Sequence, residues 1–116
     1  MPDPSRGEIW MVNWNPGRGS EQAGMRPSLV IQTDAANQNA NYPNTIVATI
    51  SSSGRTVPSH VRIEATPQNG LDHASYVKCE QIMTISKDRL STRKGSISPA
   101  DMERVAQALK AVLTLP

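Results

Sequence analysis

The clearest strand in this chain is Thr45-Ile46-Val47-Ala48-Thr49-Ile50-Ser51. β-Branched side chains fill most of it, and such residues favour extended backbone because they pack well on a pleated surface. The Ser-, Gly- and Pro-containing segment 52–59 follows it and favours a loop. We therefore predict a strand that ends at Ser51, and the other elements are placed around it.

Five further segments have the composition or the alternation of strands, namely 7–15, 29–31, 60–64, 74–78 and 82–85. Residues 60–64 alternate with period two, so we predict that they return as the hairpin partner of 45–51. Cys79-Glu80-Gln81 separates the last two segments. We therefore predict two short strands there, with a break between them.

A terminal helix is predicted to begin after Ser98. Ser98 suits the N-cap, Pro99 suits the first helical position, and the Asp101 carboxylate suits the first turn. Apolar residues then recur at spacings of three and four, which is typical of a helix packed on one side. They are Met102, Val105, Ala106, Leu109, Val112 and Leu113.

Several short strands and one terminal helix predict an α+β domain built around a strongly twisted, partly closed antiparallel sheet. The 116 residues suit one hydrophobic core, so we expect residues 1–116 to form a single domain. The chain has no Phe. We therefore expect Trp10 and Trp14, on one face of the first strand, to fill the core.

Composition and charge exclude several classes of protein. Hydrophobic residues make up 37% and charged residues 19%, which fits neither a membrane protein nor a disordered chain. No apolar run approaches the roughly 20 residues that cross a bilayer. The net charge of +2 is too small for a dense basic field. One cysteine and no signal-peptide pattern lead us to expect a cytoplasmic protein.

Metal and nucleotide sites lack their usual motifs. His60 and His73 lie far apart in sequence, with no HxxxH or CxxC partner, so we predict no metal site and no cofactor. Neither GxxxxGK[ST] nor GxGxxG follows a strand. The lone Cys79 is expected to be a small buried side chain rather than a nucleophile.

The glycine-rich segment 16–24 shows no hydrophobic periodicity, which is typical of a functional surface loop. Together with its flanks it carries a recognisable pattern. Gly7-Glu8-Ile9-Trp10 and Gly19-Ser20-Glu21-Gln22-Ala23-Gly24-Met25-Arg26-Pro27-Ser28-Leu29-Val30-Ile31-Gln32 resemble the "GDIW…GSEQGGxRPxLVIQ" opening of MazF/PemK toxins. The similarity continues through 46–51, 58–61, 79–85 and Arg89-Leu90, so it covers nearly the whole chain.

The resemblance implies an SH3-like barrel with a C-terminal helix, and a homodimer. It also implies a sequence-selective endoribonuclease that cuts single-stranded RNA without a metal ion. A cognate MazE-like antitoxin is implied as the partner that restrains it. None of these properties comes from composition.

The resemblance also assigns site residues. The family's catalytic arginine corresponds to Arg26 through the Arg-Pro motif, and its hydroxyl residue, commonly Thr, corresponds to Ser51. Serine keeps the hydroxyl but loses the methyl group that stiffens the rotamer. The remaining substrate-binding candidates are Glu21, Gln22, Gly24, Ser52, Ser53, His60, Lys78, Glu80 and Gln81.

The general base is left open, with Glu80, Glu21 and His60 as candidates in that order. In the PemK branch a basic residue and a carboxylate flank the cysteine, so Lys78 and Glu80 are an alternative acid and base pair. Lysine for arginine loses the planar, permanently charged fork. His60 has the side chain best suited to proton transfer but lies at the start of a strand.

Two other functions compete with the nuclease. A toxin of the same fold can poison DNA gyrase by binding through its C-terminal helix, without chemistry, but this chain ends in Leu113-Thr114-Leu115-Pro116 with no exposed aromatic. An inactive structural dimer is the third possibility. The Gly-Ser-Glu-Gln segment that runs into Arg26 favours the nuclease.

Overall fold

The computed structural model describes residues 2–14 and 24–116. In chain order, their strands and helices are β1 (Glu8–Asn13), β2 (Met25–Val30), α1 (Asp34–Asn37), β3 (Asn44–Ser51), β4 (His60–Ile63), β5 (Ser75–Ser86), β6 (Leu90–Ser96) and α2 (Pro99–Leu113). A short 3-10 turn, Lys87–Arg89, joins β5 to β6.

The described strands form one antiparallel sheet in the order β4-β5-β3-β2-β1-β6. Strands β4 and β6 are its two edges and are not paired with each other. The predicted α+β class, with a partly closed antiparallel barrel and a C-terminal helix, is therefore confirmed.

Two hydrophobic clusters lie within this architecture. The larger one is built around Ile9, Leu29, Ile50, Ile63 and Val77, and α2 contributes Val105 and Ala108 to it. The smaller one is composed of Val12, Trp14, Val30, Val47, Ile85 and Leu90, with Trp10 packed against it. Trp14 is therefore buried in the core as predicted, while Trp10 is partly buried and packs against it. In β1, β2 and β3, residues on opposite faces of the sheet belong to different clusters, because successive side chains of a strand point to opposite faces.

Helix α2 begins as the sequence predicts. Ser98 Oγ accepts a hydrogen bond of 3.1 Å from the Asp101 backbone N–H, and Pro99 occupies the first turn. The predicted apolar face is wrong at two positions, since Ala108 is buried rather than Ala106 and Leu113 is 48% exposed. The helix is not long enough or apolar enough to cross a membrane, and the same holds for every helix of the described residues.

Three sequence-based expectations about strands are corrected. Strand β4 pairs with β5 and not with β3, so 60–64 is not the hairpin partner of 45–51. Residues 79–81 do not break the chain into two strands, because β5 runs without interruption and absorbs a shift of register between Ala48 and Thr49 of β3. The extra residues form a bulge of the longer strand. Strand β6 was not predicted.

Candidate functional site

Arg26 and Ser51 lie on neighbouring strands in the middle of the sheet. Strands β2 and β3 pair with Ser28 opposite Thr49 and Val30 opposite Val47. The pairing ends at Ser28 and Thr49, and Arg26 and Ser51 lie two residues beyond it on their strands, at the same end of this antiparallel pair. Both residues line a cavity of about 280 Å³, which we call the Arg26 cavity.

Five strands and two connections of the chain build the Arg26 cavity. Its polar lining, beyond Arg26 and Ser51, is Ser52, Asp72, His73, Ser75 and Lys94. Its apolar lining is Met11, Pro27, Ile50 and Leu71. Two cationic side chains, one carboxylate and one imidazole therefore surround a space lined partly by apolar groups, which strengthens their electrostatic action on a bound anion.

The hydroxyl of Ser51 is held by the chain that follows it. Ser51 Oγ accepts a hydrogen bond of 3.2 Å from the Ser53 backbone N–H and lies 3.4 Å from Ser53 Oγ. Ser51 Oγ is thus occupied as an acceptor, while its own O–H can still rotate to donate a hydrogen bond. The backbone of Ser53 thus restrains the hydroxyl in place of the methyl group that a threonine would have.

A second polar group lies further along β5 and consists of His60, Lys78, Glu80 and Gln81; we call it the β5 polar group. His60 and Thr49 both lie opposite Lys78 in the sheet, on either side of β5. Gln81 Oε1 accepts a hydrogen bond of 2.7 Å from Thr49 Oγ1. These contacts fix the group on β3, β4 and β5, outside the Arg26 cavity.

Both ring nitrogens of His60 are occupied. Nδ1 accepts a hydrogen bond of 3.0 Å from the Arg55 backbone N–H, which requires the ring proton to be on Nε2. Nε2 in turn lies 2.8 Å from Glu80 Oε2 and donates to it. In this arrangement the imidazole has no nitrogen left to take up a proton from a ligand.

The carboxyl group of Glu80 is shifted toward its ionised form. Partial burial raises its pKa, but hydrogen bonds from His60 and from a backbone N–H, together with the charge of Lys78, outweigh that effect. The net result is a pKa below the ordinary value. Glu80 is thereby a stable anion and a weaker proton acceptor than an isolated glutamate.

The predicted site residues lie in different parts of the structure. Arg26, Ser51 and Ser52 line the Arg26 cavity, and Ser53 lies next to Ser51. His60, Lys78, Glu80 and Gln81 form the β5 polar group. Gly24 has a positive φ of 75°, and its carbonyl accepts a 2.9 Å bond from the Trp14 N–H. Glu21 and Gln22 lie outside the described residues.

Four residues of this region escaped the sequence reasoning. Asp72, His73 and Lys94 line the Arg26 cavity. Tyr76 lies directly opposite Ser51 on β5, and a Cβ on Gly54 would approach its ring to 2.3 Å. Tyr76 reaches Ser51 through the pairing of β3 with β5, Lys94 lies on β6, and Asp72 and His73 lie in the connection before β5. These non-local arrangements could not be identified from sequence spacing.

Cys79 behaves as a packing residue. It is fully buried in the larger hydrophobic cluster. Burial, aided by the charge of Glu80, raises the pKa of its thiol to about 11. The thiol therefore stays protonated near neutral pH, where a nucleophile would need to be a thiolate. In the described part of the chain, no three His, Cys, Asp or Glu side chains are grouped as metal ligands.

Known proteins resemble this chain over nearly its whole length. Residues 5–113 match the family described as PemK-like, MazF-like toxin of type II toxin-antitoxin system. Endoribonuclease EndoA of Bacillus subtilis is 38% identical over 112 residues, which are 95% of this chain and 94% of that protein.

Solved structures extend the match to the fold. An endoribonuclease from Mycobacterial species has a TM-score of 0.79 at 26% identity, covering 100% of this chain and 96% of that one. A Mycobacterial endoribonuclease in complex with its cognate antitoxin has a TM-score of 0.78 at 26% identity, over 97% of each chain. The chain therefore belongs to the PemK-like, MazF-like toxin family of type II toxin-antitoxin systems.

Proposed function

We propose that this protein is a sequence-selective, metal-independent endoribonuclease toxin that cuts single-stranded RNA. The observation that carries the proposal is that Arg26 and Ser51 line one cavity. The relative from Bacillus subtilis is itself named an endoribonuclease. A permanent cation and a hydroxyl donor at one cavity match the needs of a phosphodiester whose charge increases during cleavage.

Cleavage uses the substrate's own 2′-hydroxyl. Its oxygen forms a bond to the adjacent phosphorus, the bond from phosphorus to the 5′-oxygen breaks, and the products carry a 2′,3′-cyclic phosphate and a 5′-hydroxyl. Arg26 stabilises the negative charge on the non-bridging oxygens, because its guanidinium remains protonated and can donate two parallel hydrogen bonds. Ser51 donates a further bond to the same group.

The rest of the polar surface holds the RNA strand. Lys94 adds a second cation inside the Arg26 cavity. Lys78, Gln81 and Glu80 offer a cation, an amide and a carboxylate that can bind a phosphate and the exposed edges of single-stranded bases. His60 positions Glu80 through its 2.8 Å hydrogen bond rather than taking part in proton transfer.

Partners follow from the same surfaces. A cognate MazE-like antitoxin, rich in acidic and apolar residues, would compete with RNA, because a surface shaped for phosphate also attracts carboxylates. A homodimer, one domain over residues 1–116 and a cytoplasmic location complete the proposal. A sedimentation mass of 12.6 kDa, that of one chain, would contradict the dimer, and simultaneous binding of antitoxin and a non-cleavable RNA would contradict the shared surface.

A single experiment tests the nuclease. The purified protein is incubated with a mixed RNA pool in EDTA, and the cut ends are mapped. We expect cuts within a short common motif, each leaving a cyclic phosphate. A copy of the preferred substrate with deoxyribose at the cut position should stay intact. Cleavage that requires added metal, or cleavage of the deoxy copy, would overturn the mechanism.

A further inference from the structure

We propose that His73 is the general base of this site and takes the proton from the attacking 2′-hydroxyl. The inference rests on the proposed function, since it assigns a role within the same cavity. His73 lies in the connection between β4 and β5 and lines the Arg26 cavity together with Arg26 and Ser51. Neither the family motif nor the sequence spacing identifies it.

The chemistry of the cavity lining singles out this side chain. Its charged groups are Arg26 from β2, Lys94 from β6 and Asp72 beside His73. Arginine and lysine are protonated near neutral pH and cannot accept a proton there. An imidazole exchanges protons near neutrality, where a general base is most effective, whereas an ordinary carboxylate is a weaker base.

The connection that carries His73 is held firmly against β6. Asn69 is buried, and its side-chain oxygen accepts hydrogen bonds from the N–H groups of Thr66 and Leu71 at 3.1 and 3.0 Å. The Ser96 N–H donates to the Gln68 carbonyl at 2.8 Å.

Two glycines allow this close approach. A Cβ on Gly70 would lie 2.1 Å from the Lys94 carbonyl oxygen, and a Cβ on Gly95 would lie 2.1 Å from the Gln68 carbonyl oxygen. On the other side of His73, Ser75 Oγ donates to the His73 carbonyl at 3.0 Å. The backbone of His73 is thus fixed at both ends relative to the cavity, as a catalytic group requires.

The other described candidates for the base are less suitable. Both ring nitrogens of His60 are engaged. Glu80 is bound to His60 and is not among the residues that line the Arg26 cavity. By contrast, within residues 2–14 and 24–116 no hydrogen bond occupies a ring nitrogen of His73.

The proposed step is balanced. A neutral His73 nitrogen accepts the 2′-hydroxyl proton as the 2′-oxygen bonds to phosphorus. The bond from phosphorus to the 5′-oxygen breaks, and that oxygen takes a proton from water. His73 then returns its proton to solvent through the open side of the cavity, so the enzyme is unchanged.

His73→Ala tests the assignment by single-turnover cleavage in EDTA, with Gln107→Ala on the exposed side of α2 as the matched control. We expect His73→Ala to slow cleavage roughly 10²- to 10⁴-fold, and added imidazole to restore part of the rate. The loss should persist on a substrate whose 5′-bridging oxygen is replaced by sulfur, because a thiolate leaves without an acid. Gln107→Ala should cut at the wild-type rate.

Four results would contradict a part of this assignment, and each contradicts a different part. Wild-type cleavage by His73→Ala would overturn the role of His73 while leaving the nuclease proposal intact. Full rescue by the sulfur substrate would show that His73 protonates the leaving group instead, and would overturn its role as base. A loss that imidazole does not rescue, equalled by Asp72→Asn, would transfer the role to Asp72. Failure of the wild-type protein to cut any RNA would overturn the proposed function itself.

Discussion

Glu80 Oε2 accepts a hydrogen bond of 2.8 Å from Nε2 of His60, while Nδ1 of the same ring accepts one of 3.0 Å from the Arg55 N–H. The pair therefore ties the loop after β3 to the middle of β5. Because His60 and nearby charges hold the pKa of Glu80 below its ordinary value, ionised Glu80 contributes to stability, and this contribution depends on pH.

The direction of this pH dependence follows from the lowered pKa of Glu80. Since the folded pKa is below the unfolded one, the contribution is present above the unfolded value and is lost as pH falls through the folded value. Glu80→Gln keeps an acceptor oxygen but should remove this acid-range loss. The Glu80 side chain is 41% exposed, so the difference at neutral pH should be no more than about 0.5 kcal/mol.

Urea unfolding of wild type and Glu80→Gln in progressively acidified buffer measures the effect. Glu103→Gln, at an exposed position of α2, makes the same change of charge away from His60 and is the control. Identical acid dependence for wild type and Glu80→Gln would show that the pair does not stabilise the fold.

Gly70 should tolerate alanine poorly. Its φ of +70° is unfavourable for a side chain, and a Cβ would lie 2.1 Å from the Lys94 carbonyl oxygen, so the connection would have to move away from β6. We expect Gly70→Ala to lower the free energy of unfolding by about 2 kcal/mol or more.

Gly24 provides a matched comparison. It has a similar φ of +75°, but no atom of residues 2–14 or 24–116 lies within 4 Å of a Cβ built there. Gly24→Ala should therefore cost only the backbone strain, about 1 kcal/mol. Thermal or urea unfolding of the two variants separates strain from collision, and equal losses would mean that the clash at Gly70 is relieved without cost.

Cys79 should resist thiol reagents in the native protein. The thiol is fully buried and its pKa is raised to about 11, so both access and thiolate formation are suppressed. Labelling with a chromogenic disulfide should be slow in buffer and fast in concentrated guanidinium chloride. Rapid labelling of the folded chain would contradict the burial of this side chain.

Local chemistry made some of the fold predictable. Ser98, Pro99 and Asp101 define the start of α2 without help from the rest of the chain, and the β-branched run before Ser51 defines β3. Strand β6 is mostly polar, with Leu90 and Gly95 buried, and it forms because β1 pairs with it from far away in sequence. Alternation alone could not reveal such a strand.

The candidate site likewise contains residues that local motifs predict and residues that they do not. Arg26 and Ser51 could be assigned from their motifs by resemblance. Lys94 could not, because it lies on the strand that was not predicted, and His73 looked isolated until the β4 to β5 connection packed against β6. Non-local pairing therefore determines the parts of the cavity that motifs did not cover.

Arg26 is the most direct test of the whole site. Its side chain is exposed at the start of β2, so Arg26→Ala should change the free energy of unfolding by no more than about 0.5 kcal/mol. Loss of a preorganised charge should slow single-turnover cleavage in EDTA roughly 10²-fold or more. Arg26→Lys should recover little, because one ammonium group cannot make a bidentate contact with phosphate.

Two comparisons make the Arg26 result specific. Ser51→Ala should cost less than Arg26→Ala, because it removes one neutral donor rather than a charge. Arg104→Ala on α2 also deletes an exposed arginine, one that forms an ion pair with Asp101, and should leave cleavage unchanged. Only a loss of rate confined to Arg26→Ala would report stabilisation of the phosphoryl group by this charge. If Arg26→Ala cuts as fast as wild type, or if Arg104→Ala cuts as slowly as Arg26→Ala, the charge at the Arg26 cavity does not drive the reaction.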